Sequence, residues 1–349
     1  MEFVIVGAGK TGRGFIPQYI NANDSISFID TNQELINSLN ANQHYYINFF
    51  SGKEKLCISN YQAFTWDDNV ESVLNNADVI ALAVGEQNFN NVVDKLKNIM
   101  SDGIKNQLFV TFENGTNPAK KLEELMSNKI SGDYTITQCA VFYTTVDSRT
   151  CDIISQDTKE LPYDEDRCSN IFPFECSRGV KDFELFLERK IYTYNCLSAV
   201  ISYPGCYYGY EYLADAMSDD RVKKLVGEAL HQLSLGLAKK FNVTSEEQRE
   251  FAQSAITKFS DVNIKDSIQR NVRDVIRKLG LNERIFGPIS VLEKEGCDCT
   301  VLFKIVGYML RYECETAIEA LSCLVLATGL NESHEWITKS MEEYNKLNR

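Results

Sequence analysis

The first half of the chain alternates short apolar runs with amphipathic segments. The apolar runs are rich in β-branched residues and predict buried strands at residues 2–6, 25–30, 77–85, 107–112 and 134–147. Further strands are predicted at residues 45–50 and 55–59, and helices at residues 32–40, 70–76 and 89–100. Because strands that alternate with helices usually form a parallel, doubly wound sheet, we predict an α/β domain over residues 1–180.

A different pattern begins near residue 182. Apolar residues recur there at helical spacing, and the predicted helices lie at about residues 182–203, 207–217, 219–241, 245–260, 264–280, 284–295, 300–311, 312–329 and 332–346. The preceding residues 153–178 are polar, irregular and acidic, which indicates surface excursions. We therefore predict a mainly α-helical substrate and catalytic domain over residues 181–349.

Length and charge limit the possible partners. At 349 residues the chain exceeds the usual size of one hydrophobic core, which fits two domains. The net charge of −13 would repel nucleic acid and anionic membrane surfaces, so we expect neither as a partner. No apolar run approaches the ~20 residues of a membrane helix. An anionic substrate would need a local cluster of Lys and Arg.

The eleven cysteines are an odd number at irregular spacing, which is typical of reduced thiols in a cytosol. Cys297 and Cys299 could form a metal or redox pair, but no second pair or nearby His completes the set. We therefore predict no metal site. The chain begins directly with a core strand, so we expect no signal peptide and a cytoplasmic location.

The first predicted strand leads into a glycine-rich turn, Gly7-x-Gly9-x-x-Gly12. In dinucleotide-binding folds such glycines allow a sharp turn, a close pyrophosphate and tight helix packing. Asp30 ends the second strand, where a carboxylate would bind the ribose hydroxyls and repel a 2′-phosphate. Glycines also serve ordinary turns, but strands on both sides favour a Rossmann-like site for NAD. The candidate cofactor-binding residues are Gly7, Ala8, Gly9, Lys10, Thr11, Gly12, Asp30, Asn32, Val84, Gly85 and Asn114.

A second informative stretch reads Glu188-Arg-Lys-x-x-Thr-x-Asn195 within a predicted helix. Two further motifs accompany it: an Arg-Gly-Phe that follows the glycine turn, and a Glu-Asn pair at residues 113–114. Together these motifs resemble the polyol-specific long-chain dehydrogenase family. The likeness runs from residue 1 to about residue 290.

The resemblance implies metal-independent hydride transfer with Lys190 as general base. A lysine can take a hydroxyl proton if burial and nearby cations lower its pKa from about 10.4 toward 7 to 8. Asn195 and Asn114 would donate hydrogen bonds to the developing alkoxide. Asp147 matches the Asp of the family's Val-Asp-Arg signature and would orient a substrate hydroxyl. On an ideal α-helix Asn195 lies roughly 140° from Lys190, and Ser198 roughly 80°.

A basic segment lies within the helix predicted over residues 264–280. Arg270 and Lys278 match positions where relatives contact substrate. Arg270, Arg273 and Arg277 are spaced at i, i+3 and i+7, so one helix face could clamp a phosphate or carboxylate. The alternative is a solvated basic stripe. The candidate substrate-binding residues are Arg270, Arg273 and Lys278.

Three departures from the family pattern bear on the expected chemistry. The family's His is Ser198 here, so a different substrate, a lower rate, or Ser198 acting with water are the open alternatives. The Arg of the Val-Asp-Arg signature is Ser148. Pro17 lies within the helix predicted after the glycine turn, where we expect a bend.

The resulting hypothesis is an NAD-dependent oxidoreductase that interconverts a sugar ketone and its polyol. The resemblance favours D-fructose 6-phosphate and D-mannitol 1-phosphate as the substrate pair. Two alternatives remain: a hexuronate reductase of the same superfamily, whose substrate carboxylate could use the same basic segment, and a non-catalytic NAD(H)-binding sensor. The family suggests a monomer or homodimer.

Overall fold

The predicted parallel sheet is present in the computed structural model, which describes residues 1–100, 104–115, 117–148, 151–157, 159–168 and 172–347. The strands are β1 (Glu2–Val6), β2 (Ser25–Asp30), β3 (Tyr45–Phe49), β4 (Leu56–Ile58), β5 (Tyr61–Thr65), β6 (Val79–Leu82), β7 (Ile104–Thr111), β8 (Gly132–Gln138), β9 (Thr145–Asp147), β10 (Ile153–Ser155), β11 (Leu161–Asp164) and β12 (Ser177–Val180). Six of them form a parallel sheet in the order β5-β2-β1-β6-β7-β8. The prediction of a doubly wound sheet is therefore confirmed.

Strand β1 lies between β2 and β6, where the strand order reverses. Phe3 and Ile5 pack into the core on one face of β1, and Val4 and Val6 into the core on the other. Each of these four side chains is at most 1% exposed. Because both faces of the strand are covered, its sequence is a continuous apolar run rather than an alternating one.

The helices of this part of the chain are α1 (Lys10–Gly14), α2 (Gln33–Asn42), α3 (Glu71–Asn75), α4 (Phe89–Ile99) and α5 (Pro118–Ser127). The sequence analysis missed α5 and strand β5. The expected bend at Pro17 was wrong, because α1 ends at Gly14 and Pro17 lies in the first turn of a separate 3-10 helix, Ile16–Tyr19. Pro17 has no N–H to donate to the carbonyl oxygen of Arg13, so α1 cannot continue through it.

Residues 153–178 contain more regular structure than their acidic sequence indicated. They contribute β10 to a second sheet of order β4-β3-β10-β9, and they contain β11 and the start of β12, which pair with each other. Phe172 and Phe174 are buried, and the Phe174 ring centroid lies 5.2 Å from that of Phe3. The prediction of surface excursions alone was therefore wrong, because these aromatic side chains extend the core.

The chain divides into two compact units, Met1–Leu187 and Glu188–Arg349. The later helices are α6 (Phe183–Lys190), α7 (Cys196–Tyr207), α8 (Leu213–Ala216), α9 (Asp220–Gly236), α10 (Ser245–Phe259), α11 (Ile268–Asn271), α12 (Val275–Lys278), α13 (Phe286–Lys294), α14 (Thr300–Glu313), α15 (Ala317–Thr328) and α16 (Glu335–Lys346). The predicted change to a mainly helical fold is confirmed. Within the described ranges, no helix combines the length and apolar character needed to cross a membrane.

Candidate active site

The glycine turn between β1 and α1 is shaped by three glycines in different ways. Gly7 has a φ of +97°, and a Cβ there would lie 2.4 Å from the carbonyl oxygen of Ala83. A Cβ on Gly12 would lie 1.8 Å from the carbonyl oxygen of Gly7, so α1 can pack this closely only with glycine. A Cβ on Gly9 would meet nothing within 4 Å. The turn therefore needs two of its glycines for the fold and leaves open space beside the third.

Arg13 holds this turn together, a role that the sequence analysis did not assign. Its guanidinium is buried and donates to the carbonyl oxygens of Ala8 (2.6 Å) and Cys151 (3.3 Å). It also pairs with Asp147 at 3.2 Å, and the Lys10 ammonium lies 3.7 Å from the same carboxylate. Asp147 thus lies beside the cations of the glycine turn, and its expected role toward a substrate hydroxyl stays a prediction.

A cavity of about 350 Å³ opens beside the turn within the N-terminal unit. Asp30 lines this cavity and accepts hydrogen bonds from the backbone N–H groups of Ala8 (2.6 Å) and Asn32 (2.8 Å). Asn32 itself caps α2, because its side chain accepts from the N–H of Leu35. The cavity lies beyond the carboxyl ends of β1 and β2, where open α/β sheets bind nucleotides. Its lining residues are Val6, Gly7, Gly9, Ile29, Asp30, Thr31, Trp66, Ala83, Val84, Asn88, Asn91, Val92 and Lys95.

Glu113 connects the carboxyl ends of two neighbouring strands. It follows β7 and accepts hydrogen bonds from the backbone N–H groups of Val84 (2.9 Å) and Gly85 (2.8 Å), which follow β6. Burial raises the pKa of the Glu113 carboxyl to about 7, although both N–H groups favour its ionised form. Asn114 is exposed at the same edge of the sheet. The sequence analysis noted the Glu-Asn pair but missed that Glu113 fixes the turn of Val84 and Gly85.

Lys190 ends α6 with its side chain buried at 4% exposure. Burial, together with the nearby cations Lys258 and Arg284, lowers the pKa of its ammonium to about 7. A lysine with this pKa is partly neutral near pH 7, so it can both take and return a proton. This is the environment that a general base requires.

A single π-helical turn, Ile191–Asn195, separates Lys190 from α7. In this turn the N–H of Cys196 donates to the carbonyl oxygen of Ile191, five residues earlier. Because this bond widens the turn, residues five apart lie at a smaller angle to each other about the helix axis than they would on an α-helix. The separation of roughly 140° expected between Lys190 and Asn195 was therefore wrong, since it assumed an ideal α-helix. The π turn brings these two side chains toward the same side of the helix.

We call Lys190, Lys258, Lys278 and Arg284 the basic cluster, because Lys258 and Arg284 lower the pKa of Lys190 and Arg284 also lowers that of Lys278. Lys278 is 5% exposed, and burial, followed by Arg284, lowers the pKa of its ammonium to about 7. Burial also lowers the pKa of Lys258 to about 8. The sequence analysis missed Lys258 and Arg284, because no local spacing links either residue to Lys190. Such a concentration of cations favours an anionic ligand.

The three arginines predicted to share one helix face do not share it. The chain adopts a left-handed conformation at Asp274 (φ 61°), which separates α11 from α12. All three arginines are exposed, and Arg270 differs from the others in pairing at 2.6 Å with the buried carboxylate of Asp266. The expected clamp on a single helix was therefore wrong, and the individual roles of Arg270 and Arg273 toward substrate stay predictions.

Ser198, which occupies the position of the family's His, is 9% exposed. Its hydroxyl donates to the side-chain oxygen of Asn271 at 3.0 Å. Lys278 donates to the backbone oxygen of the same Asn271 at 2.7 Å, so the hydroxyl and the basic cluster have a common neighbour. Among the residues that the structure describes, no three His, Cys, Asp or Glu side chains form a group that could hold a metal ion.

Two family models match the chain, one in each part. The model of the mannitol dehydrogenase Rossmann domain matches residues 1–136, and that of the mannitol dehydrogenase C-terminal domain matches residues 182–324. This pair of domains defines an NAD-dependent polyol dehydrogenase. The chain belongs to the mannitol dehydrogenase family.

Curated relatives and solved structures agree with this assignment. A mannitol-1-phosphate 5-dehydrogenase from Thermoanaerobacter pseudethanolicus is 24% identical, and the match covers 99% of this chain and 98% of the relative. An enzyme of the same name from Lacticaseibacillus casei is 28% identical over 89% of this chain and 88% of its own. The Pseudomonas fluorescens mannitol 2-dehydrogenase, solved with NAD and D-mannitol, shares the fold at a TM-score of 0.75 and 13% identity, covering 99% of this chain and 91% of that one.

Proposed function

We propose that this protein reduces a phosphorylated ketose to its polyol with NADH and catalyses the reverse reaction with NAD. D-fructose 6-phosphate and D-mannitol 1-phosphate are the substrate pair. The observation that carries the proposal is the buried Lys190 ammonium, whose pKa of about 7 is set by burial and by the neighbouring cations. The names of the two curated relatives support the choice of substrate. The eleven free thiols support a cytosolic location.

Proton transfer at the reacting oxygen is assigned to Lys190. In reduction, its ammonium gives a proton to the carbonyl oxygen while hydride arrives at the carbon from the bound cofactor. In oxidation, the neutral amine takes the hydroxyl proton. Asn195 and Asn114 donate side-chain N–H groups to the oxygen as its negative charge develops, which lowers the barrier in both directions.

The charge of the substrate is matched by the basic cluster. Lys258 and Arg284 add positive charge near the amine, and Arg284 also acts on Lys278, although part of its charge is balanced by Glu283 at 3.4 Å. A phosphate offers up to two negative charges and three acceptor oxygens, more than a carboxylate does. The cluster therefore favours a sugar phosphate over an uncharged sugar. It also favours the phosphate over a hexuronate, because the phosphate carries more negative charge than the carboxylate.

The experiment measures NADH oxidation in the presence of D-fructose 6-phosphate, D-fructose and two hexuronates, D-fructuronate and D-tagaturonate. We expect kcat/KM to be highest for the phosphate ester and lowest for the uncharged ketose. A higher value for either hexuronate would replace the proposed substrate with a carboxylate sugar. If no member of the panel supported NADH oxidation, the proposed reaction would be wrong.

A further inference from the structure

Ser198 stands at one end of a chain of hydrogen bonds that leads to a buried carboxylate. Its hydroxyl donates to Asn271 Oδ1 at 3.0 Å, and Asn271 Nδ2 donates to Asp266 Oδ1 at 2.7 Å. Asp266 is 4% exposed and is also bound by Arg270 at 2.6 Å. The chain thus joins a surface arginine to a buried hydroxyl next to the basic cluster.

The direction of these bonds is fixed by the chemistry of the amide. Asn271 Nδ2 has two acceptors, Asp266 Oδ1 at 2.7 Å and the backbone oxygen of Ser267 at 3.0 Å. A carboxylate accepts hydrogen bonds only, so the amide nitrogen must face Asp266 and the amide oxygen must face Ser198. The single proton of the Ser198 hydroxyl is therefore committed to Asn271. Only oxygen lone pairs remain to interact with any other group.

Ser198 is placed beside the group that would hold the reacting oxygen. Asn195 and Ser198 are three residues apart at the start of α7, so their side chains are neighbours on one helix face. A substrate oxygen held by the Asn195 amide brings the hydroxyl of an adjacent carbon toward Ser198. The imidazole of the family's His at this position could donate an N–H, whereas Ser198 bound to Asn271 cannot donate.

We propose that Ser198 is a specificity-determining acceptor, which selects substrates with a hydroxyl on a carbon adjacent to the reacting carbonyl. Asn271 and Asp266 are positioning residues that keep the Ser198 proton turned away from the substrate. This inference rests on the proposed function. Its chemical consequence is that a substrate without the adjacent hydroxyl leaves the Ser198 lone pairs unpaired in a buried site, which is unfavourable.

The test compares D-fructose 6-phosphate with its 1-deoxy and 3-deoxy analogues, which each lack one hydroxyl next to the carbonyl. For the wild-type enzyme we expect kcat/KM to fall about 10- to 100-fold with one of the two analogues. In Ser198→Ala we expect kcat/KM to fall for the parent substrate but not for that analogue. The ratio of kcat/KM for the parent to kcat/KM for the analogue should then approach one. Ser198→Thr retains a hydroxyl and should retain much of the discrimination.

Two further variants separate this role from a structural one. Asn271→Leu removes the acceptor that orients the Ser198 hydroxyl, so its lone pairs are no longer held toward the substrate and the ratio should fall part of the way toward one. Ser202→Ala is the matched control, because it removes a buried hydroxyl one turn further along α7 for which the described residues supply no hydrogen-bond partner. This control should leave the ratio unchanged.

The outcomes distinguish the inference from the function on which it rests. Inactivity of the wild-type enzyme toward the parent ketose and the whole panel would overturn the proposed function, and the inference with it. If the wild-type enzyme is active but reacts with both analogues as fast as with the parent, the inference alone is overturned. The same holds if the ratio of kcat/KM for parent and analogue is equal in the wild-type enzyme and in Ser198→Ala. A loss of activity in Ser198→Ala that is equal for all substrates would also overturn it.

Discussion

The nucleotide cleft and the basic cluster are built in opposite ways. The cleft is formed around the backbone of the glycine turn at Gly7 and Gly9, with Asp30 from the next strand and side chains of α4. The basic cluster is formed by side chains from separate elements, including α6, α10 and α12. A backbone site leaves a contiguous signature in the sequence, whereas a side-chain site depends on how distant helices pack. This difference explains why one site is evident in the sequence and the other only in the structure.

Burial also acts on the two regions with opposite sign. In the N-terminal unit it raises the pKa of the Glu113 carboxyl to about 7, and in the helical unit it lowers the pKa of Lys190 to about 7. In both cases the neutral form is favoured, because removing a charge from water is costly. The glycine turn would bind a dinucleotide through backbone N–H groups, which do not titrate. Any proton transfer near pH 7 therefore depends on side chains rather than on the backbone.

The largest expected effect comes from removing the proposed base while leaving the cleft intact. Lys190→Ala should lower kcat/KM for ketose reduction about 10³-fold, because the protein then has no group at that position to supply the proton. NADH affinity, measured by fluorescence titration, should stay within about twofold, since the cleft is built by other residues.

Lys304→Ala is the control for Lys190→Ala. Lys304 is a partly exposed lysine of α14 that pairs with Glu228 at 2.9 Å. Its loss should change neither kcat/KM nor NADH affinity. Parallel losses of NADH binding and activity in Lys190→Ala would contradict the separation of the two sites, and an unchanged kcat/KM would contradict the role of Lys190 as base.

Within the cleft, two glycines allow the fold and the ligand to be separated. Gly9→Ala should leave the midpoint of thermal unfolding unchanged, because the added Cβ meets no atom within 4 Å. It should weaken NADH binding about 10- to 100-fold, since the methyl group occupies the space open to the pyrophosphate. Gly12→Ala should instead lower the free energy of unfolding by about 2 kcal/mol or more, because its Cβ would clash with the backbone of Gly7.

The same pair of variants can contradict the proposed location of the pyrophosphate. A Gly9→Ala protein that bound NADH with wild-type affinity would show that the open space beside Gly9 is not the ligand site. A lower unfolding midpoint in Gly9→Ala would show that its Cβ meets protein rather than ligand. Both measurements are made on the full-length protein.

Sequence patterns predicted the parallel sheet and most of the helices beside it, because strands that are buried on both faces consist of consecutive apolar residues. They failed where the backbone departs from ideal geometry. The π turn before Cys196 and the left-handed residue Asp274 change which side chains share a face, and helical spacing does not reveal either. Phe172 and Phe174 were missed for another reason, because their acidic surroundings hide two core residues.

The candidate site likewise has parts that could be predicted from the sequence and parts that could not. Lys190 could be identified because its motif lies within a few residues of it in the sequence. Lys258 and Arg284 could not, because they act on the base from distant parts of the sequence. Asn271 was overlooked inside a basic segment whose arginines drew attention to charge, although its amide is what fixes the Ser198 hydroxyl.

A smaller effect concerns the choice between the two nicotinamide cofactors. Asp30→Asn should lower the ratio of NADH to NADPH affinity about tenfold, because it removes the charge that repels a 2′-phosphate and a hydrogen-bond acceptor for the ribose. Asp30 also accepts hydrogen bonds from the backbone N–H groups of Ala8 and Asn32, so the substitution could loosen the turn. Because such loosening would weaken the binding of both cofactors, the ratio of their affinities corrects for it. An unchanged ratio would remove Asp30 from the adenosine site.

The smallest effect tests whether the basic cluster tunes Lys190. Oxidation uses the neutral amine, so kcat/KM should rise with pH through about 7 and then level off. Reduction uses the ammonium, so kcat/KM should fall with pH through the same range. Lys258→Met removes a cation that lowers the Lys190 pKa, so both transitions should move upward by roughly one pH unit. Lys258→Arg retains the charge and should leave both in place. If Lys258→Met moved neither transition, Lys258 would have no part in setting the Lys190 pKa, and burial with Arg284 would account for it.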